Sequence, residues 1–227
     1  MNNYESTIEF WDERFGERLS SDKRYDPSKP IPLIEIEEGT KWLIKEADSI
    51  IDFGCGSRNL LFKSLFLGAK KAVGIDISPK AIELANHTSK LNKMDDKTDF
   101  KAGGIELLKN LEDNSIDAAA SFNTIDNILP EDAISVIKEM NRILKKNSKF
   151  LVKLNDVMPK NILEEDDYYQ LISEDFYKEK SGLYFWNLSD SKFREITSPY
   201  FKIVKYVDVP FPKTDYKNRL YYLVNKI

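Results

Sequence analysis

The chain predicts an α/β fold: a doubly wound, mostly parallel seven-stranded sheet with helices on both faces and a closing antiparallel hairpin. Three observations carry that expectation. Between residues 50 and 154, short apolar runs that end in an acid or a turn alternate with amphipathic helical stretches, the pattern of parallel strands returning through helices. The first of these runs, Ser49-Ile50-Ile51-Asp52-Phe53, breaks into Gly54-Cys55-Gly56, two glycines spaced by one residue, where a ligand can approach bare backbone ahead of a helix. After residue 200 two strand-like runs, 201–209 and 219–226, follow one another with only a Pro210-Phe211-Pro212 loop between them.

Composition bounds the function classes. At 227 residues the chain suits a single domain, 1–227, large enough to bury a core without disulfides or metal staples. Lys and Arg number 34 against 38 Asp and Glu, a formal net charge of −4, so no basic field would draw the protein to nucleic acid or an anionic membrane. Cys55 is the only cysteine, which excludes an internal disulfide and points to a reducing compartment, expected to be the cytoplasm. No run reaches the roughly 18 to 20 apolar residues that span a bilayer, and Met1-Asn2-Asn3-Tyr4-Glu5 lacks the layout of a signal peptide.

Taken in order, residues 4–19 place Ile8, Trp11, Phe15 and Leu19 on one helical face. Three prolines within residues 27–32 make the next stretch a stiff, irregular connection, and a helix over 33–46 leads into the glycine strand. Residues 59–67 form the following helix, with Gly68 as its left-handed stop. A second strand, 71–76, ends at Asp76, after which Ser78 caps a helix whose first turn holds Pro79 and whose buried stripe is Ala81, Leu84, Ala85, Thr88 and Leu91. Residues 99–102 are the third strand, running into Gly103-Gly104-Ile105, and 116–123 the fourth, rich in small residues. Pro130 opens a helix with Ala133, Ile137, Met140 and Leu144 buried, and 149–154 is the fifth strand. Residues 155–188 are irregular and aromatic, and Ser189 caps a short helix ended by Pro199.

Residues 50–154 resemble the class I S-adenosylmethionine-dependent methyltransferases of small-molecule type. Asp52, Gly54 and Gly56 match the family's first motif, acid-x-Gly-x-Gly-x-Gly, with Arg58 in place of the third glycine. The dinucleotide fingerprint G-x-G-x-x-G fails, because its last glycine would fall on Asn59. Val73-Gly74-Ile75-Asp76-Ile77-Ser78 followed by Ala81-Ile82-Glu83-Leu84-Ala85 is the more specific half of the match, and Asp76, 22 positions beyond Gly54, has the spacing of a carboxylate that takes both ribose hydroxyls. Two departures stand out. Gly104 sits where members commonly carry an acid that accepts the adenine amino group, and Lys146-Asn147-Ser148 replaces their Pro-Gly-Gly.

The resemblance implies S-adenosylmethionine as cofactor, held by Asp52, Gly54, Cys55, Gly56, Asp76, Ile77, Gly104, Ile105 and Asn123. Trp11 and Tyr25 would close on it from lid helices at about 1–47, and an insertion at about 155–199 would cover the substrate, with Tyr169, Tyr184 and Trp186 against the acceptor. Trp11 and the insertion aromatics also fit plain core positions. Cys55 reads as a small filler of the turn and not as a nucleophile.

The implied reaction is methyl transfer to a nitrogen, oxygen or sulfur of a small molecule. An amine is favoured, because Glu164-Glu165-Asp166-Asp167 adjoins Tyr168-Tyr169 and rings attract cations. His87, the only histidine, lies deep in its helix, so no catalytic base is assigned. Ser121-Phe122-Asn123-Thr124 lacks the Asn-Pro-Pro-Tyr type of motif, which disfavours base methylation in nucleic acid. Asn123, Asp126, Asn155 and Asp156 put oxygens at two strand ends, but such residues belong naturally in strand-end turns, so no metal is expected. The competing reading is a non-catalytic S-adenosylmethionine-binding protein of the same fold, motivated by Arg58 and Gly104. Oligomeric state is not readable from this pattern.

Overall fold

The computed structural model describes residues 3–19, 25–57, 60–165, 167–211 and 216–226. Its main sheet is built from β1 (Ser49–Phe53), β2 (Lys71–Asp76), β3 (Thr98–Ala102), β4 (Ile116–Phe122), β5 (Leu144–Leu154), β9 (Phe201–Pro210) and β10 (Lys217–Asn225), in the order β3-β2-β1-β4-β5-β10-β9. The first five strands are parallel and β10 runs antiparallel to both β5 and β9, so the expected closing hairpin is present.

Strand alternation divides the core in two. Ile51, Ala119 and Phe150 point to one face, where α6 (Pro130–Ile143) and α8 (Asp190–Thr197) cover them with Val136, Ile137, Met140 and Phe193. Ile50, Ala118, Ala120 and Leu151 point to the other, under α2 (Ile34–Ile44) and α3 (Leu60–Phe66) through Leu43 and Leu61. Ala118, Ala119 and Ala120 are fully buried, as a central strand pressed by helices on both faces requires.

Local signals end the helices where the sequence indicates. Gly68 has φ +119 and closes α3, with the Ala69 N–H donating to the Ser64 carbonyl at 3.0 Å. Ser78 Oγ accepts the Ala81 N–H at 3.0 Å and so caps α4 (Pro79–Leu91), while Ser189 Oγ accepts the Lys192 N–H at 3.2 Å and caps α8. Asn147, with φ +64, makes a left-handed turn within β5, a conformation asparagine tolerates. Two short helices, α5 (Ile105–Lys109) and α7 (Lys160–Glu165), were not anticipated. The aromatic insertion is likewise more regular than expected: β6 (Tyr169–Ser173), β7 (Phe176–Glu179) and β8 (Tyr184–Trp186) form an antiparallel three-stranded sheet. No helix among the described residues is long and apolar enough to cross a membrane.

Candidate functional site

Strands β1 and β4 are neighbours whose helices leave to opposite sides, and a crevice opens at the carboxyl ends of the strands at such a point. Here it is a cavity of about 1120 Å³, somewhat above the roughly 300–1,000 Å³ of small-molecule sites. Its floor is the glycine turn. The Gly54 and Cys55 N–H groups both donate to the Ile75 carbonyl, at 2.8 and 3.0 Å, which ties the turn to β2. Gly54 has φ +75, and a Cβ there would lie 2.0 Å from Thr124 Oγ1 at the end of β4. Gly54→Ala is therefore expected to cost about 1–2 kcal/mol in backbone strain plus the Thr124 clash. A lower melting temperature, partly restored by Thr124→Gly, would check this.

Asp76 lies beside the turn at the end of β2, 8% exposed yet part of the cavity wall. Its Oδ2 accepts the Gly56 N–H at 2.7 Å and its Oδ1 the Ser78 N–H at 2.9 Å. These two bonds hold the carboxylate in a fixed pose at the cavity wall, and a carboxylate oxygen can accept more than one hydrogen.

The helix α1 (Glu5–Leu19) forms one side wall. Asp12 Oδ1 accepts the Ser78 hydroxyl at 2.5 Å and the Lys80 N–H at 3.1 Å, joining α1 to the first turn of α4, and Phe15 packs on Ala81 and Leu84. Trp11 stacks on Phe15 at 5.7 Å between centroids and also lines the cavity. At the other end of α1 the Tyr4 hydroxyl donates to Asp132 Oδ2 at 2.6 Å and accepts the Leu129 N–H at 3.0 Å. Burial, and then the Asp132 bond, push the Tyr4 pKa well up, so the phenol stays protonated and α1 is fastened to α6.

A family model describing a methyltransferase domain matches residues 44–225. The chain belongs to the methyltransferase domain family. By family and fold it is a class I methyltransferase, and S-adenosylmethionine is the cofactor of that class. Among curated relatives, a ribosomal protein L11 methyltransferase of Thermotoga petrophila is 26% identical over 153 residues, 67% of this chain and 48% of that protein. The chain thus spans about half the length of the curated relatives it matches. A solved protein of Pyrococcus horikoshii OT3 superposes with a TM-score of 0.70 at 20% identity, covering 93% of this chain and 99% of that one. The 1,6-didemethyltoxoflavin-N1-methyltransferase of Burkholderia thailandensis, crystallised with bound 1,6-didemethyltoxoflavin and S-adenosylhomocysteine, gives a TM-score of 0.64 at 14% identity over 84% of this chain and 77% of that one.

Within this methyltransferase, Trp11, Gly54, Gly56, Asp76, Ile77, Gly104, Ile105, Asn123 and Tyr169 are brought together around the cavity. Other expected residues are placed elsewhere. Asp52 is buried within β1 beneath the turn, and Cys55 is buried behind it, where burial pushes the thiol pKa up and Asp76 and Asp52 push it further. Cys55 is thus the neutral filler of the turn. Tyr25 packs on Phe62 of α3 at 6.4 Å, outside the cavity wall; burial, then Glu37 and Asp26, raise its pKa to about 12. Arg58 and Asn59 lie outside the described residues.

The insertion corrects two assignments. Tyr184 and Trp186 occupy the same face of β8 and are buried in the main core, Tyr184 stacked on Phe176 at 5.3 Å and donating its hydroxyl to the Asn3 carbonyl. Phe185, on the alternate face, joins Tyr169 at 6.1 Å and lines the cavity in their place. The acidic run is not in the wall: Asp167 is exposed and paired with Lys180, and Asp166 lies outside the described residues. The carboxylates that do face the cavity from this side are Asp132, Asp156 and Glu179.

Glu106 was missed as well. Its Oε1 accepts the Gly104 N–H at 2.7 Å, and a Cβ on Gly104 would meet Glu106 Oε2 at 3.0 Å, so this carboxylate lies against Gly104 at the cavity wall. Its position two residues past Gly104 was the available signal. Among the described residues no group of three or more His, Cys, Asp and Glu is placed to hold a metal ion, and His87 is exposed on α4.

Proposed function

We propose that this chain transfers the methyl group of S-adenosylmethionine to a nitrogen of a small molecule. The observation that carries the reading is the cavity itself, floored by Gly54, Gly56 and Asp76 and walled by both α1 and the β6–β8 insertion, with room beyond a single nucleoside. The glycine floor and the fixed Asp76 carboxylate suit the cofactor: Asp76 would take the ribose hydroxyls, Ile77 and Ile105 the faces of the base, and Gly54 and Gly56 the close approach of the methionine end. When bound, the cofactor supplies an electrophilic methyl on a sulfonium, already a good leaving group. The protein's share is then alignment and exclusion of water, which α1 and the insertion supply by closing two sides.

A nitrogen acceptor is supported by the rest of the wall. Tyr169 and Phe185 offer ring faces, and Asp132, Asp156 and Glu179 offer acceptor oxygens, against Arg18 and Lys217 as the cations of the wall. The Burkholderia neighbour, an N1-methyltransferase, shares the fold.

The test is formation of S-adenosylhomocysteine with a panel of amines, phenols, thiols and carboxylates. Amines are expected to react best, and Tyr169→Ala to raise the acceptor KM by about 3- to 30-fold, the loss of one ring–cation contact, with cofactor affinity unchanged. Preference for phenols or thiols would remove the acceptor assignment. Cofactor binding without turnover of any acceptor would favour the non-catalytic reading.

A further inference from the structure

The oxygen-bearing residues at the ends of β4 and β5 form a chain of hydrogen bonds whose direction is fixed from one end. Asp126 is fully buried just past β4. Its Oδ2 accepts the backbone N–H of Asn155 at 2.6 Å, its Oδ1 faces the Asn127 amide at 3.3 Å, and the side-chain amide of Asn155 also bonds to it. The facing charge is Arg219 of β10, whose Nε donates to the Asn155 carbonyl; the β8 side contributes the Trp186 N–H to the Asp126 carbonyl. Burial pushes the Asp126 carboxyl up to about 6, while these bonds and Arg219 oppose the rise; the groups that meet its two oxygens, the Asn155 N–H and the Asn127 amide, are both donors, as an ionised carboxylate requires.

A carboxylate has no hydrogen to donate. Asn155 must therefore turn its Nδ2 toward Asp126 and its Oδ1 outward, and that oxygen takes an N–H from the Asn123 side chain at 2.6 Å. The Asn123 Nδ2 also faces Asn218 Oδ1 at 3.4 Å. Both amide hydrogens of Asn123 are thus committed, and its Oδ1 is the atom left for the cavity that Asn123 lines. The backbone holds this pose, since Asn123 has φ +51, a conformation asparagine tolerates, and its N–H donates to the Lys153 carbonyl at 2.7 Å. In the sheet, β4 stands between the β2 end that carries Asp76 and the insertion that follows β5, so Asn123 faces the junction of the two halves of the cavity.

We propose that Asp126 is a positioning residue which, through Asn155, holds the Asn123 carbonyl oxygen toward the reacting methyl and so selects a nucleophile that carries an N–H. This rests on the methyl-transfer reading above and names how that site chooses its acceptor. The nucleophile's hydrogen bond to Asn123 Oδ1 would orient its lone pair at the methyl carbon; the new N–C bond would form as the C–S bond breaks with its electron pair left on sulfur, and the methylated nitrogen would then lose its proton to water.

Sinefungin, which carries an amine-bearing carbon in place of the methylated sulfonium, is the probe, with S-adenosylhomocysteine as its partner lacking that amine. By calorimetry at neutral pH the unaltered chain is expected to bind sinefungin about tenfold more tightly, the scale of a hydrogen bond to a charged group. In Asp126→Asn the amide at 126 can donate to Asn155 and reverse the chain, so the preference should disappear with S-adenosylhomocysteine affinity unchanged. Asn155→Ser leaves Asp126 in place and should lose the preference too, which covers any failure of the first variant to fold. Adding Asn123→Asp to Asp126→Asn should restore it, because either carboxylate oxygen accepts; a merely structural role for Asp126 predicts that Asp126→Asn lowers S-adenosylhomocysteine affinity as well. A preference that survives both single variants overturns this proposal alone. No S-adenosylhomocysteine binding by the unaltered chain overturns the methyl-transfer reading and this proposal with it.

Discussion

Asp76→Ala is expected to weaken S-adenosylhomocysteine binding by about 100-fold, roughly 3 kcal/mol. Two losses add. The variant removes a charged acceptor from the position proposed for the ribose, and it releases the Gly56 and Ser78 N–H groups, which Asp76 now holds at 2.7 and 2.9 Å. The first weakens contact directly, and the second leaves the glycine turn less well ordered before the ligand arrives. Asp76→Asn separates this account from one based on size. The amide keeps the shape, but one of its two ends must become an NH₂ facing a backbone N–H, donor against donor. Asparagine should therefore bind nearly as poorly as alanine. Calorimetry showing parental affinity for Asp76→Asn would overturn the ribose assignment.

What the sequence made readable at this site follows from how local each cause is. The glycine pair, Asp76 and the Ser78-Pro79 cap answer to rules that operate within a few residues, and each stands where it was expected. The insertion failed for a different reason: in Tyr184-Phe185-Trp186 three aromatics occupy consecutive positions of a strand, so composition does not say which phase faces inward. Packing against Phe176 and Tyr4 decides it, and these contacts come from other elements. Tyr4 and Asp132 are 128 positions apart, and no spacing rule joins them. Glu106 was visible as a residue but not as an occupant of the cavity, because its return to Gly104 depends on the extended geometry of two adjacent glycines.

Arg219→Ala is expected to destabilise the fold by about 3–5 kcal/mol, the cost of removing one partner of a buried charge network, and to lower the melting temperature by on the order of 10 °C. Arg219 is 4% exposed in β10. Its Nε donates to the Asn155 carbonyl at 2.8 Å, its Nη2 to the Leu188 carbonyl at 2.7 Å and its Nη1 to Asp190 Oδ1 at 2.5 Å. One guanidinium thus ties the end of β5, the exit of the insertion and the first turn of α8 to the closing hairpin. Without it the buried Leu188 carbonyl and the part-buried Asn155 carbonyl lose this donor, and lysine, with a single nitrogen, cannot reach all three. Asp190→Ala should cost less, because Asp190 is half exposed and Arg219 keeps both carbonyls. Burial raises the Asp190 pKa, but hydrogen bonds from Tyr221 and Arg219 outweigh it and leave the carboxyl below its ordinary 3.8. A lowered acid stabilises above its unfolded pKa, so this contribution is complete at neutral pH and is lost only as pH falls below about 3.8. The penalty of Asp190→Ala should accordingly be constant from pH 5 to 8 and shrink below 4. If Arg219→Ala melts with the parent, the tie between the insertion and the sheet lies elsewhere, and the shape of the acceptor side of the cavity would need another cause.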